Sequence, residues 1–212
     1  NGAPAPGAPA MAYDATRQRL VAIDYQGQLW EWDGAAWTGH GTAPAAAWAN
    51  LVYDSTRQQL LMLSHANINT PMQTHAWNGT AWQLLASTGP TNPHYGTADD
   101  PVRGRIVLHG GGGQASTAAT WEWDGTQWQQ IPGTSAPSRR DHVLAIDPGR
   151  GQVLLFGGNA GTTNVSGTAT MQDVFAWNGT TWTRIAASAP PSRILYAAHY
   201  DLGRERFVLS GG

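Results

Sequence analysis

The chain has 212 residues, a net charge of −2 and only 12% charged residues, against about 25% in an average soluble domain. All 12 cations are Arg and none form a basic run, which argues against an electrostatic nucleic-acid binder, and no apolar run is long enough to span a membrane. Zero Cys excludes disulfides, thiolate metal sites and a Cys nucleophile, while 41% hydrophobic residues and 11 Trp argue for a folded core rather than disorder.

Along the chain the same elements return in the same order. Pro4 stands ten residues before Asp14, and Asp14-Ala15-Thr16-Arg17 leads into the apolar run Leu20-Val21-Ala22-Ile23. Trp30-Glu31-Trp32-Asp33-Gly34 then runs to Trp37. The second copy has Pro44, Asp54, Arg57, His75-Ala76-Trp77-Asn78-Gly79 and Trp82. The third has Pro90, Asp100, Arg103, Trp121-Glu122-Trp123-Asp124-Gly125 and Trp128. The fourth has Pro137, Asp147, Arg150, Phe175-Ala176-Trp177-Asn178-Gly179 and Trp182. A fifth begins with Pro191, Asp201 and Arg204 and reaches Gly211-Gly212. Gly pairs also stand ten residues after the anchors Asp100 and Asp147, at Gly110-Gly111 and Gly157-Gly158.

Each copy reads as four short strands. The first enters the anchor Asp, and Asp-x-x-Arg is its turn. The second is the apolar run, such as Val153 to Phe156, apolar at successive positions like a strand buried on both faces. Trp-x-Trp is the third. Asp/Asn-Gly signals a hairpin with positive φ at both central residues, and the fourth strand starts near the closing Trp. No segment has a 3.6-residue period, so the chain is all-β. Four-stranded antiparallel units recurring about every 45 residues predict a β-propeller. Repeat-invariant Trp32, Trp77, Trp123 and Trp177 are expected to pack the blades. Each Asp-x-x-Arg pair is expected to be a turn-stabilising ion pair.

With Asp-x-x-Arg, the apolar strand, the Gly pair and the Trp hairpin aligned, the sequence resembles the kelch-repeat family. It is most similar to bacterial kelch proteins and the galactose-oxidase central domain. Arg139, His142, Asp147, Phe156-Gly157-Gly158, Trp177 and Trp182 match that pattern best. The resemblance implies kelch-like four-stranded blades over residues 1–212: four full repeats plus a half repeat, at about 4–43, 44–89, 90–136, 137–190 and 191–212. It also implies a structural hydrogen bond for His142. The absent Cys excludes the copper-radical cofactor of galactose oxidase. Five first halves against four Trp hairpins lead us to expect an incomplete ring, completed by further blades of the same chain or by a neighbouring subunit.

Loop lengths select one end of the blades. Connections after the first and third strands are short and uniform. Those after the second and fourth carry nearly all the variation, and variable loops on a rigid scaffold are where binding concentrates. The candidate ligand- or partner-binding residues there are Trp48, His65, Asn67, His94, Tyr95, Arg139, Arg140, Arg193 and Tyr196. The arginines suggest a site for a carboxylate or acidic glycan. Asn78-Gly79-Thr80, Asn164-Val165-Ser166 and Asn178-Gly179-Thr180 fit a glycosylation sequon, but the first and last fall on the hairpin turn, where Asp-Gly serves in other copies.

The expected function is a non-catalytic, secreted or cell-surface binding or structural module. It would present the loop end to a glycan or protein, or assemble with copies of itself, without cofactor or metal. The alternative is a propeller-face enzyme acting on a sugar, mutarotase-like, with Arg139, His142, Arg193 and His94 as candidates. Asp141 and Asp173 are nearly the only acids on that face outside the repeat motifs. Either one within reach of a His over the central channel would favour the enzyme.

Overall fold

A computed structural model describes residues 2–4, 10–44, 47–112, 116–133, 136–160, 171–186, 196–201, 203–204 and 206–211. Arg193 lies outside them. No helix long and apolar enough to cross a membrane occurs among the described residues.

All regular structure among these residues is antiparallel strand. The first sheet is β1 (Ala10–Asp14), β2 (Arg19–Ile23), β3 (Gln28–Trp32) and β4 (Trp37–Thr42). The second is β5 (Ala47–Asp54), β6 (Gln59–His65), β7 (Gln73–Trp77) and β8 (Trp82–Ala86). The third is β9 (Tyr95–Asp100), β10 (Arg105–Gly110), β11 (Thr120–Trp123) and β12 (Trp128–Ile131). The fourth is β13 (Val143–Asp147), β14 (Gln152–Phe156), β15 (Val174–Trp177) and β16 (Trp182–Ala186). A two-stranded ladder of β17 (Tyr196–Asp201) and β18 (Arg206–Gly211) follows. Each four-stranded sheet is a meander with strands in sequence order, as the repeat predicts.

Each anchor Asp closes its turn in the same way. Arg17, Arg57, Arg103, Arg150 and Arg204 donate backbone N–H to the carboxylate three residues earlier, at 2.9–3.2 Å. Their guanidinium groups reach its second oxygen at 2.7–3.4 Å. In the first four copies the next residue adopts the left-handed conformation, with Gln18 at φ 53°, Gln58 at 55°, Gly104 at 64° and Gly151 at 61°. That residue turns the chain into the second strand.

The Trp hairpins differ from the expected two-residue turn. Trp32 pairs directly with Trp37, Trp77 with Trp82 and Trp177 with Trp182, so each loop has four residues. Only the Gly has positive φ, for example 99° at Gly79 and 95° at Gly179. The preceding Asp or Asn accepts backbone N–H groups instead: Asn78 Oδ1 takes those of Thr80 and Ala81 at 2.9 Å, and Asp33 Oδ1 those of Ala35 and Ala36 at 2.8 Å. An oxygen acceptor is the shared requirement, which is why Asp and Asn alternate there.

The chain divides into two compact units, Asn1–Thr91 with Gly125–Gln127, and Asn92–Asp124 with Trp128–Gly212. In the first unit the core lies between two sheets: Val21, Ile23 and Leu29 against Leu51, Leu60, Met62 and Trp77. In the second, Ala98 and Val107 pack against Leu144, Val153, Leu155, Phe175 and Trp177. First strands neighbour first strands within each unit, β1 beside β5, and β9 beside β13 beside β17. Each hairpin Trp pair is tilted, with ring centroids 5.1–5.7 Å apart. A buried indole removes on the order of 200 Å² from water, about 5 kcal/mol of apolar transfer.

Candidate functional site

The meander sends the β2–β3, β4–β5 and equivalent connections to one end of every sheet, opposite the Asp-x-x-Arg turns. In the first unit that end presents Trp48, 43% exposed at φ 49° beside an irregularity in β5. Asn67 is exposed and closes a tight turn, its Oδ1 accepting the N–H of Asn69 at 3.0 Å. His65 is fully buried, with Nδ1 3.0 Å from the Thr70 carbonyl, so it supports that loop from beneath.

In the second unit the corresponding end is built by three crossing segments. The Gly110-Gly111 pair, at φ 71° and 95°, lets the chain pass close under residues 139–142, and Gly111 donates N–H to the Arg139 carbonyl at 2.9 Å. A Cβ at Gly110 would collide with that carbonyl and stand 2.7 Å from His142 Cε1. Gly158, at φ 86°, gives the same clearance to the Arg140 carbonyl and the His142 Cβ. Arg140 and Asn159 exchange backbone hydrogen bonds at 3.1 Å and lock the segment.

These contacts decide what the arginines do. Arg139 has no exposure. Its Nη1 donates to Asp173 Oδ1 and to the Gly157 carbonyl, both at 3.0 Å, and the guanidinium lies 5.3 Å over the Phe175 ring. Arg140 is 4% exposed, with Nε 3.4 Å from Asn159 Oδ1 and 3.6 Å from Asp141 Oδ2. Two of the three arginines expected to bind an anion are thus sequestered within the loops, and the third, Arg193, lies outside the described residues. Tyr95 is buried as well, and burial pushes its phenol pKa up. Tyr196 opens β17.

Beneath the loops lie two buried imidazoles. His109 Nε2 is 3.5 Å from the Pro137 carbonyl, which can only accept, so that nitrogen carries the proton. Nδ1 is then the acceptor at 2.9 Å from Thr120 Oγ1, and the same hydroxyl accepts the Trp182 indole N–H at 2.9 Å. Burial first, opposed by the Pro137 bond and reinforced by the Arg139 charge, holds His109 neutral with a pKa lowered to about 4. The His142 ring meets His109 edge-on at 5.7 Å. Its nitrogens make no well-formed hydrogen bond among the described residues, but the ring approaches the His109 backbone, a contact that favours its charged form. Burial, followed by the charges of His109 and Arg139, sets its pKa well below the ordinary value.

Above them, His94 remains open to solvent, with 37% of its side chain exposed. Its Nδ1 lies 3.2 Å from Asp141 Oδ1, and the Asp141 N–H donates to the His94 carbonyl at 3.2 Å. The carboxylate can only accept, so Nδ1 carries a proton, and Nε2 is the ring nitrogen turned to solvent. Both residues are left-handed, His94 at φ 65° and Asp141 at φ 54°. Asp141 is absent from the expected binding residues and enters the sequence reading only as one of two acids whose approach to a His would favour an enzyme. The signal was its register: Trp48, His94 and Asp141 each stand six residues before an anchor Asp. Among the described residues no group of three or more His, Asp or Glu side chains is placed to hold a metal ion.

No family model matches the chain, and no curated protein is similar to it.

Proposed function

We propose that the protein is a kelch-like β-propeller module that acts outside the cell, binding a glycan or protein partner through its variable loop end without catalysing a reaction. The observation that carries this reading is the difference between the two ends of each sheet. One end is pinned by five Asp–Arg turns of a single design. At the other, Asn67 and His94 stand exposed on loops that differ from repeat to repeat, and Trp48 stands exposed where β5 begins. Side-by-side first strands and sheet-on-sheet cores fit a propeller. Screening the chain against immobilised glycans and secreted proteins tests the reading, with Trp48→Ala and Asn67→Ala as controls. Binding weakened by either substitution supports it. No binding, or binding that both variants retain in full, overturns it.

A second reading, an enzyme acting on a sugar, draws on the 3.2 Å approach of Asp141 to His94. A carboxylate that orients an exposed imidazole is the arrangement of a general base. Anomeric exchange of reducing sugars, followed by NMR with and without the protein, tests it. Unaccelerated exchange counts against the enzyme.

A further inference from the structure

We propose that the His94–Asp141 pair is a binding site for neutral carbohydrate, with His94 Nε2 accepting a hydrogen bond from a sugar hydroxyl. The proposal rests on the binding-module reading and names the ligand class of its loop end.

Three observations lead to it. The first is the backbone. Non-glycine residues pay a conformational cost in the left-handed region, and a purely structural position of that kind is filled most cheaply by Gly or Asn. Here three successive repeats hold Trp48, His94 and Asp141 at the same register and in the same left-handed conformation. The conformation is retained while the side chain changes, which is the pattern of a scaffold position whose side chain has a separate task.

The second is the hydrogen-bond inventory. Asp141 uses one oxygen for His94 Nδ1 at 3.2 Å and turns the other toward Arg140 Nε at 3.6 Å. It therefore fixes the imidazole tautomer without offering itself to a ligand. The His94 ring makes no other polar contact among the described residues. In the neutral imidazole, Nε2 is then an oriented acceptor at the solvent edge, complementary to an O–H donor.

The third is charge. Arg139 is matched by Asp173 at 3.0 Å and Arg140 by Asp141. Both cations are nearly or fully buried, so among the described residues neither arginine is open to an anionic glycan at this pair, and a cationic ligand finds only a carboxylate already engaged. A neutral polyhydroxyl compound matches the lone acceptor.

Affinity electrophoresis tests this with the whole chain. The neutral probes are barley β-glucan, galactomannan and arabinogalactan, and the acidic probes are polygalacturonate and alginate. At least one neutral polysaccharide is expected to retard the protein. His94→Ala should weaken that binding at least tenfold, whereas His94→Gln, which keeps a side-chain acceptor, should retain more of it. Asp141→Asn should also weaken it, because an amide can donate to Nδ1 and release the tautomer. Thermal melts of all three variants report whether the fold persists, and the contrast between Gln and Ala at position 94 does not depend on that alone. Retardation by neutral polysaccharide that survives His94→Ala overturns the proposal. Retardation only by acidic polysaccharide, or binding only to a protein partner with loss in Trp48→Ala, overturns it while leaving the binding-module reading intact. Failure to bind any glycan or protein overturns both.

Discussion

Trp77 donates its indole N–H to Glu31 Oε1 at 2.6 Å, reaching from the second sheet to the first, and Trp177 does the same to Glu122 at 3.0 Å from the fourth sheet to the third. The repeat therefore has a longer period of two sheets. Odd sheets carry Trp-Glu-Trp and even sheets carry Ala76 or Ala176 in place of the Glu. The even-sheet indole is buried in the core between the two sheets, so its N–H needs an acceptor from the facing strand.

The two glutamates are not equivalent. Burial pushes Glu31 up, but the two-pronged Arg17 hydrogen bonds at 2.5 and 2.8 Å, the Trp77 bond and the Arg17 charge outweigh it and hold the carboxyl below its usual range. At Glu122 burial dominates and the carboxyl is raised, because Arg105 approaches only to 3.9 Å. Glu31→Gln should therefore destabilise the first unit by about 2 kcal/mol at neutral pH, while Glu122→Gln should be neutral or slightly stabilising. The signs with pH are opposite. Stability from Glu31 is present above the unfolded value of 4.5 and lost as pH falls through the lowered folded value. Glu122 costs stability at neutral pH, and that cost is relieved as pH falls through its raised value. Urea unfolding of both variants at pH 7 and pH 4 reads this directly, and equal losses in the two variants would contradict it.

The buried imidazoles predict acid sensitivity in a different window. His109 has an ordinary value of 6.5 and a folded value of about 4, so the unfolded chain binds the extra proton between them. Stability should fall as pH drops from about 6.5 toward 4, by up to roughly 3 kcal/mol for this residue, and level off below. Replacing it with Gln should flatten the slope by about one proton. Melting temperatures across that range, for the native chain and the variant, give the comparison.

The His142 ring depends on missing side chains around it. A Cβ at Gly96 would stand 2.8 Å from Nε2 of His142 and 3.0 Å from Leu144 Cγ. Gly96→Ala should cost about 2 kcal/mol through overpacking. Combined with His142→Ala, which empties the space, the same substitution should cost under about 0.5 kcal/mol. A double-mutant cycle measures the difference, and additive losses would show that the clash is relieved elsewhere.

At the hairpin tips, Asn78→Asp should be nearly silent, since either side chain supplies the oxygen that Thr80 and Ala81 require. Asn78→Ala should cost about 1 kcal/mol, the loss of backbone hydrogen bonds at an exposed turn. Gly79→Ala should cost at least as much, because φ is 99° there and a Cβ would come within 2.7 Å of Arg17 Nε. Thermal denaturation of the three variants ranks them.

The strands and their order were legible in the residues, for local reasons. Asp-x-x-Arg turns, apolar runs and Trp-bounded hairpins are each satisfied within a few positions of the chain, so their chemistry is written contiguously. The hairpin geometry depends on the number of loop residues between paired strands: Asp/Asn-Gly suits two turn types, and the Trp32–Trp37 pairing selects the longer one. The arginines show the opposite limit. Nothing adjacent to Arg139 announces that Asp173, 34 residues away, will neutralise it beneath the loops. His94 and Asp141 likewise become a pair only because consecutive sheets bring one repeat register together. Composition and spacing settle which elements form, because those are short-range equilibria. Which polar side chains are consumed inside and which stay available to a ligand is set by partners far apart in the chain, and those meet only when the sheets pack.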